Sequence, residues 1–293
     1  MKVQLFTATA ILMISTAAFA VDTQFERTLN ISGQPDVYVS TGSGDVRIHP
    51  GSDSQVHIVG HVHAGGGWNF FGMSGSVGGI KDRIQRIIEN PPIMQSGNTI
   101  RVGESNDHEL FNNISIDYDI TTPASTALNL HSGSGDVTID QVGRYLSAAS
   151  GSGNVRAHGV HGPAELNSGS GDIELDEEGQ GDVKAKTGSG NVQIRGLNGG
   201  LMARSGSGDI EADGRLTGPA NVSSGSGNIK LHLTPDAHFN LEASTGSGDI
   251  HVNYPNAPQQ GDHSRHHLTG PVNGGGAPLE IHTGSGDVDI DSH

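Results

Sequence analysis

Nine copies of one short motif limit what this chain can fold into. Each copy consists of Gly-Ser-Gly, then Asp or Asn, then Val or Ile, and the copies begin at Gly42, Gly133, Gly151, Gly169, Gly188, Gly206, Gly225, Gly246 and Gly284. From the second copy to the eighth, successive starts are 18 to 21 residues apart, whereas the first gap is 91 residues and the last is 38. A fixed period of roughly 20 residues is typical of repeat proteins, in which similar units stack on one another.

Each repeat unit predicts two short strands. After the motif at Gly151, Val155 and Ala157 alternate with polar residues, and Ala164 and Leu166 do the same before the next copy. Such alternation is the pattern of half-buried strands. One unit cannot bury its inner face alone, but a stack of units can. The sequence therefore predicts an all-β fold, a right-handed parallel β-helix (β-solenoid) with coils of 18–19 residues, whose hand follows the general preference of crossover connections.

The motif itself predicts a corner between consecutive coils. Its glycines would supply backbone angles with φ > 0, and its Asp or Asn would bond to nearby backbone N–H groups. The residue before each copy in the regular array is Ser or Thr. Because alternate residues of a strand face inward, its position in the strand predicts a ladder of inward hydroxyls. A further apolar position predicts a second corner, at Val142, Val160, Leu197 and Leu216.

The fourth motif residue alternates between Asp and Asn along the regular array. The residues are Asp136, Asn154, Asp172, Asn191, Asp209, Asn228 and Asp249. Equivalent residues of stacked coils would be neighbours, and like charges directly opposite each other are destabilising. Our hypothesis is that the interposed Asn residues relieve this repulsion. The alternative is drift between two residue types that suit the same turn.

The first interruption of the repeat, residues 64–98, is predicted to be an insertion with a helix at about residues 79–90. The helix follows from apolar residues spaced along one helical face. A glycine-rich loop before it carries Trp68, Phe70 and Phe71. These aromatic residues either cap an open end of the solenoid or form an exposed patch that contacts a partner, a sugar or a membrane.

The second interruption, residues 253–277, is predicted to be a long surface loop with one degenerate coil near Leu268 to Asn273. Loops of this kind are frequent places for binding functions. If the last coil of the solenoid is open, its strand edges could also pair with another copy of the chain, end to end.

The first residues predict export. Lys2 precedes a short apolar run, and Ala18-Phe19-Ala20 matches a signal-peptidase site, so residues 1–20 are predicted to be a signal peptide and residues 21–293 a single domain. No later stretch has the roughly 18 consecutive apolar residues of a transmembrane helix, so no transmembrane anchor is predicted. We expect the protein in the periplasm, outside the cell or at the cell surface.

The charge balance excludes some partners. The chain has 16 Lys and Arg residues against 32 Asp and Glu residues, a formal net charge of −16. Nucleic acids and anionic lipids require a basic surface, so neither is an expected partner.

Candidate metal ligands are weak. His57, His61 and His63 share one face of a predicted strand, and imidazoles two residues apart can share a metal ion. No established metal motif surrounds them, and solvated surface histidines are the preferred interpretation. Calcium is a further alternative for a Gly- and Asp-rich repeat, but calcium-binding β-rolls have a nine-residue period and calcium takes six to eight oxygen ligands. No cofactor is therefore expected.

An enzyme is the alternative to a binding protein. β-Helix enzymes that act on polysaccharides need paired carboxylates or basic residues in a cleft. The densest acidic cluster, Asp176-Glu177-Glu178, is predicted to be a solvated turn, so no catalytic residue is predicted.

The Ser/Thr-Gly-Ser-Gly-Asp/Asn-Val/Ile repeat, the predicted signal peptide and the strand–insertion–repeat order resemble the putative-adhesin domain family of bacterial envelope proteins, from roughly Val37 to Asp291. The resemblance implies a β-solenoid and brings no catalytic residues. We therefore expect a non-enzymatic exported protein that binds an unknown protein or glycan at the cell envelope or has a structural role. The alternatives are a polysaccharide-active β-helix enzyme and a self-associating structural protein.

Overall fold

The computed structural model describes residues 23–64, 77–104, 107–258 and 265–292. Within them the chain is almost entirely β, as predicted, with 22 strands, one α-helix and a 3-10 helix at His108–Phe111. The predicted signal peptide and Trp68, Phe70 and Phe71 lie outside the described residues. The strands are β1 (Gln24–Asn30), β2 (Asp36–Thr41), β3 (Val46–Pro50), β4 (Gln55–Ala64), β5 (Ile93–Ser96), β6 (Thr99–Val102), β7 (Ile114–Thr122), β8 (Ala127–Ser132), β9 (Val137–Asp140), β10 (Tyr145–Ser150), β11 (Val155–Val160), β12 (Ala164–Ser168), β13 (Ile173–Glu177), β14 (Val183–Thr187), β15 (Val192–Ser205), β16 (Ile210–Ser224), β17 (Ile229–Leu233), β18 (Phe239–Thr245), β19 (Ile250–Asn253), β20 (His267–Val272), β21 (Ala277–Thr283) and β22 (Val288–Ser292).

The strands form two parallel columns that enclose one core, which makes the fold solenoid-like. The strands that follow the motif form the motif column and the strands that precede it form the second column, and the long strands β15 and β16 each run through both. Val155 on β11, for example, pairs with Val137 on β9 and with Ile173 on β13. Inward residues of both columns are fully buried, and most are Val, Ile, Leu or Ala. Small aliphatic residues suffice because the two columns are thin layers that face each other.

The coils do not stack in the order of the sequence at either end of the solenoid. The β2–β3 coil lies between the β6–β7 coil and the β8–β9 coil. The β21–β22 coil lies between β16–β17 and β18–β19. Each of these coils pairs in parallel on both sides. The repeat period gives the number of coils, but the long connections allow the chain to leave a layer open and fill it later.

The prediction of one degenerate coil near Leu268 to Asn273 is therefore wrong. That segment is β20, which pairs antiparallel with the outer edge of β18. The last copy of the motif does not continue the stack beyond β20 but returns to the open layer beside β16. Antiparallel pairing needs no full turn of the solenoid, so a short strand can close this end of the second column.

The insertion covers the opposite end of the solenoid. Its helix, α1, spans Val77–Glu89, close to the predicted range, and it buries Ile84 and Ile87 against the core. Arg83 on the helix donates hydrogen bonds to the carbonyl oxygens of Glu109 and Asn112, at 2.8 and 2.9 Å. The antiparallel strands β1, β4 and β5 complete this end. None of the helices in the described ranges is long and apolar enough to cross a membrane.

The predicted ladder of hydroxyls is confirmed. Ser150 Oγ donates to the carbonyl oxygen of Gly135 in the neighbouring coil, at 2.8 Å, and accepts from the N–H of Gly153 in its own coil, at 2.9 Å. The other eight copies of the motif repeat this arrangement. Each hydroxyl thus satisfies two backbone groups that the corner removes from the strand ladder.

The motif glycines are required by close stacking, so the expectation of φ > 0 at these positions is wrong. None of the described motif glycines has a backbone in the left-handed region. A Cβ atom on Gly151 would overlap the carbonyl oxygen of Gly133 in the neighbouring coil. A Cβ atom on Gly42 would meet nothing within 4 Å, because the neighbouring β6–β7 coil carries no motif. Close approach of two backbones is the physical reason for glycine here.

Candidate functional site

A cleft of about 1190 Å³ opens at the end of the solenoid that the insertion covers. We call it the end cleft. Its walls combine the first motif corner, the start of β7, Met94 on β5, residues that follow β6, and the end of the 3-10 helix. Its lining includes Ser43, Met94, Glu104, Phe111, Asn113, Tyr118 and His131. The end cleft therefore lies where the first interruption of the repeat meets the regular stack.

Tyr118 forms part of the lining of the end cleft. Its side chain is 1% exposed, and its ring packs edge-on against Phe25 with 6.3 Å between the ring centroids. Burial raises the pKa of the Tyr118 hydroxyl above its ordinary value, so the group stays protonated. A protonated phenol at the boundary of a core and a cleft can donate to a ligand oxygen.

The remaining walls mix apolar and polar groups. Met94 is 52% exposed, and Phe111 packs partly against the core. Glu104 accepts a hydrogen bond from Arg101 Nη1 at 2.9 Å, which holds its carboxylate at the cleft. His131 lies on the outward face of β8. Apolar surface with a few directed polar groups is the usual composition of a small-ligand site.

His57, His61 and His63 lie on the outward face of β4, where His57 and His63 contact different partners. His57 Nε2 lies 3.5 Å from Glu26 Oε1, and His63 Nε2 lies 3.0 Å from Asp117 Oδ2. No group of three or more metal-ligating side chains occurs in the described part of the chain. His57 and His63 therefore form separate cross-strand pairs. The expectation that the protein needs no metal stays a prediction.

The Asp and Asn residues of the motif form one continuous column of hydrogen bonds. Asn154 N–H donates to Asp136 Oδ1 at 2.8 Å, and Asp172 N–H donates to Asn154 Oδ1 at 2.8 Å. Asp117 on β7, outside the motif, begins the column, which continues in space with Asp45, Asp136, Asn154, Asp172, Asn191, Asp209, Asn228, Asp287 and Asp249. Asp and Asn both supply the acceptor oxygen that the backbone of the next coil needs.

The alternation holds in the middle of this column and fails at its ends. Asp287, not Asp249, follows Asn228 in space, and Asp249 lies beyond it. At the other end three aspartates are neighbours. The order differs from that predicted because the first and last coils enter the stack out of sequence. The backbone N–H groups that donate to Asp117, Asp45 and Asp287 partly offset the repulsion that remains.

The charge hypothesis predicts opposite effects for two kinds of substitution. Asn154→Asp, Asn191→Asp and Asn228→Asp together should lower the free energy of unfolding by about 1–3 kcal/mol at neutral pH and low salt, since each pair of like charges costs up to about 1 kcal/mol. Asp287→Asn should raise it slightly, because it separates Asp249 from a neighbouring carboxylate. Urea unfolding at low and high salt measures both. Equal stability of all variants would favour simple interchange of turn residues.

A second alternation, which the sequence analysis missed, follows the outward face of the motif column. In the spatial order of the coils, strands with basic outward side chains lie between strands with acidic outward side chains. Arg156 and His158 on β11, for example, lie between Asp140 on β9 and Glu174 and Asp176 on β13. Partial burial alone would raise the pKa of Asp176, but hydrogen bonds from His158 and Arg195 hold it below its ordinary value. Comparing residues 18 or 19 positions apart would have revealed the pattern.

Glu177 contradicts the prediction that Asp176-Glu177-Glu178 is a solvated turn. Its side chain is 5% exposed, and it pairs with Val160 at the second corner. Neither carboxylate oxygen has a hydrogen-bond partner within the described ranges. Burial raises the pKa of Glu177 to about 7. The nearby Asp182 carboxylate also raises this pKa, whereas the backbone of Asn198 lowers it. The turn signal at this position predicts an exposed residue, but the alternation that begins at Ile173 continues the inward face to Glu177.

A family model described as Toastrack DUF4097 matches residues 31–291 of the chain. No curated protein matches the sequence. Similar solved structures include a putative adhesin from Bacteroides fragilis NCTC 9343, at 13% identity over 92% of this chain and 97% of that chain, with a TM-score of 0.46. A putative cell adhesion protein from Clostridium sporogenes ATCC 15579 has 11% identity over 92% and 100% of the two chains, with a TM-score of 0.26. A putative lipid binding protein from Parabacteroides distasonis ATCC 8503 has 12% identity over 92% and 97%, with a TM-score of 0.31.

Proposed function

Since the chain belongs to the Toastrack DUF4097 family, we propose that it is an exported, non-enzymatic binding protein of the cell envelope or the extracellular space, which holds a glycan in the end cleft. The observation that carries this proposal is the cleft itself, at the junction of the insertion and the stack. We propose a right-handed β-helix with coils of 18–19 residues as the scaffold that presents it. Export rests on the pattern of residues 1–20.

The chemistry of the end cleft fits a neutral sugar. Sugar rings have an apolar face, which Phe111 and Met94 could cover, and hydroxyls on their edges. Ser43, Asn113 and the Tyr118 hydroxyl can exchange hydrogen bonds with those hydroxyls. A net charge of −16 disfavours strongly acidic polysaccharides.

The enzyme alternative would need a second acid at the end cleft. Glu104 is the carboxylic acid among the described lining residues, and its partner is Arg101. Glycoside hydrolases usually place two carboxyl groups on opposite sides of the scissile bond. This supports binding without hydrolysis. Incubation of the mature protein with a bound glycan, followed by analysis for shorter products, separates the two functions.

Substitution of a cleft residue should weaken binding without changing the fold. We expect His131→Ala to raise the Kd of a glycan found on a glycan array at least about fivefold, since a lost hydrogen bond contributes about 1 kcal/mol. Isothermal titration of the mature protein with that glycan measures the change. Met94→Ala should have a similar effect through lost apolar contact.

The chain offers a matched control. His282 lies on β21 in the same column and faces outward like His131, at the opposite end of the solenoid. We expect His282→Ala to leave the Kd unchanged. Equal weakening by both variants would place the ligand elsewhere, and the absence of any bound glycan or envelope component would contradict the proposal.

A further inference from the structure

The C-terminal coil fills a slot between two parts of the solenoid. β21 pairs with β16 on one side and with β18 on the other, and β22 pairs with β17 and β19 in the same way. Backbone pairing thus connects β18–β19 to the rest of the stack through this coil. We propose that the coil of residues 277–292 is exchangeable, and that it can occupy the slot of a second copy of the chain.

The slot is specific for a coil that carries the motif. Thr283 Oγ1 donates to the carbonyl oxygen of Gly227, and Thr245 Oγ1 donates to that of Gly286, both at 2.8 Å. The Asp287 backbone N–H also donates to Asn228 Oδ1 at 2.9 Å. The inward side chains of the coil are buried, at Leu279, Ile281, Val288 and Ile290. A second copy supplies an identical coil, so exchange reproduces every one of these contacts.

A short turn connects the coil to the strand before it. Residues 273–276 carry the chain from β20, across the start of β18, to β21. Gly274 and Gly275 adopt φ of 88° and 83°, in the left-handed region that favours glycine. Asn273 Nδ2 holds the turn by donating to the carbonyl oxygens of Pro235 and Ala237, both at 3.0 Å. If the turn straightens, the coil points away from its own slot, which is the geometry that leads to domain swapping.

Cysteine cross-linking between copies tests the proposal, because the full chain contains no Cys. Asn221 on β16 pairs in register with Glu280 on β21, and Asn221 Nδ2 donates to Glu280 Oε2 at 2.8 Å. The full-length Asn221→Cys and Glu280→Cys variants are mixed, warmed to just below the unfolding midpoint, cooled and oxidised. A disulfide-linked dimer on a non-reducing gel is the expected result, since neighbouring strands meet the distance requirement of a disulfide.

Two further mixtures make the result specific. Met202 pairs with Asn221 on the other side, outside the exchanged coil, so a mixture of Met202→Cys and Asn221→Cys should give no dimer above the level of random collision. Glu242 on β18 also pairs with Glu280, so a mixture of Glu242→Cys and Glu280→Cys should cross-link if the β21–β22 coil alone moves. Equal yields in the Asn221 mixtures, or no dimer in the first mixture, would overturn the proposal.

The turn provides an independent measurement. Gly274→Ala meets no neighbouring atom within 4 Å but forces Ala into the left-handed region. It should raise the yield of cross-linked dimer several-fold in the Asn221→Cys and Glu280→Cys background, because the closed turn becomes less favourable. Exchange does not involve the end cleft, so His131→Ala should leave the yield unchanged. A lower yield with Gly274→Ala would contradict the role of this turn.

Discussion

Gly151→Ala is expected to lower the free energy of unfolding by about 3 kcal/mol or to prevent folding, whereas Gly42→Ala leaves stability unchanged or raises it by about 0.5 kcal/mol. The two glycines occupy the same position of the motif. A Cβ atom at position 151 overlaps a backbone carbonyl of the neighbouring coil, and backbone in a stack of parallel strands cannot move aside without breaking hydrogen bonds. At position 42 the added methyl group meets nothing and reduces the entropy of the unfolded chain.

Urea unfolding of the mature protein, followed by circular dichroism, measures the difference between the two variants. Gly153→Ala, at the other glycine of the same motif copy, should be as harmful as Gly151→Ala, because its Cβ atom would also overlap backbone of the next coil. Equal losses for Gly42→Ala and Gly151→Ala would mean that the corner needs glycine for its backbone angles. The close-stacking explanation would then be wrong.

The inward face was predictable from the sequence because it depends only on the length of the repeat and on the alternation of inward and outward residues along each strand. Val155, Leu166 and Ile173 alternate with polar residues, and each is buried as its position requires. The buried hydroxyl of Ser150 follows from the same parity. These features repeat in every coil, so nine copies of the motif reinforce one another.

The order of the coils was not predictable in the same way. Nothing in the local pattern around Gly284 distinguishes a coil that extends the stack from one that fills an open layer beside β16. The choice depends on which strand edge is free when the chain returns, and that is a property of the whole fold. The predicted neighbours of Asp249 and the degenerate coil predicted where β20 lies were wrong for this reason.

The end cleft depends on the same long-range arrangement. Tyr118 and His131 belong to coils that are separated in sequence from the motif copy at Ser43, and the β2–β3 coil brings them together by entering between them. The sequence indicated the first interruption as a place for function. It did not indicate which side chains would face one another, because they come from coils that are far apart in the sequence.

Glu177→Leu is expected to raise the free energy of unfolding by at least about 3 kcal/mol at pH 8. The folded protein holds the Glu177 carboxyl at a pKa of about 7, against an ordinary value of 4.5, because burial disfavours the charged form. Well below pH 4.5 the carboxyl is protonated in both states, so its ionisation does not change the free energy of unfolding. As the pH rises to 7 the unfolded chain loses this proton first, so stability falls by about 1.4 kcal/mol per unit and stays low above pH 7.

Removal of the carboxyl group should remove this part of the pH dependence. Glu177→Gln keeps the size of the side chain without the charge, so its stability relative to the unsubstituted protein should grow from near zero at pH 4.5 to about 3 kcal/mol at pH 8. Leu should stabilise further, because it places an apolar side chain beside Val160 and leaves no unbonded polar atom.

Glu178→Gln is the control, since Glu178 is exposed and its substitution should change stability by less than about 0.5 kcal/mol. Urea unfolding from pH 4.5 to 8 provides the measurement, and a constant difference between Glu177→Gln and the unsubstituted protein across that range would show that Glu177 is ionised in the folded state as it is in the unfolded chain.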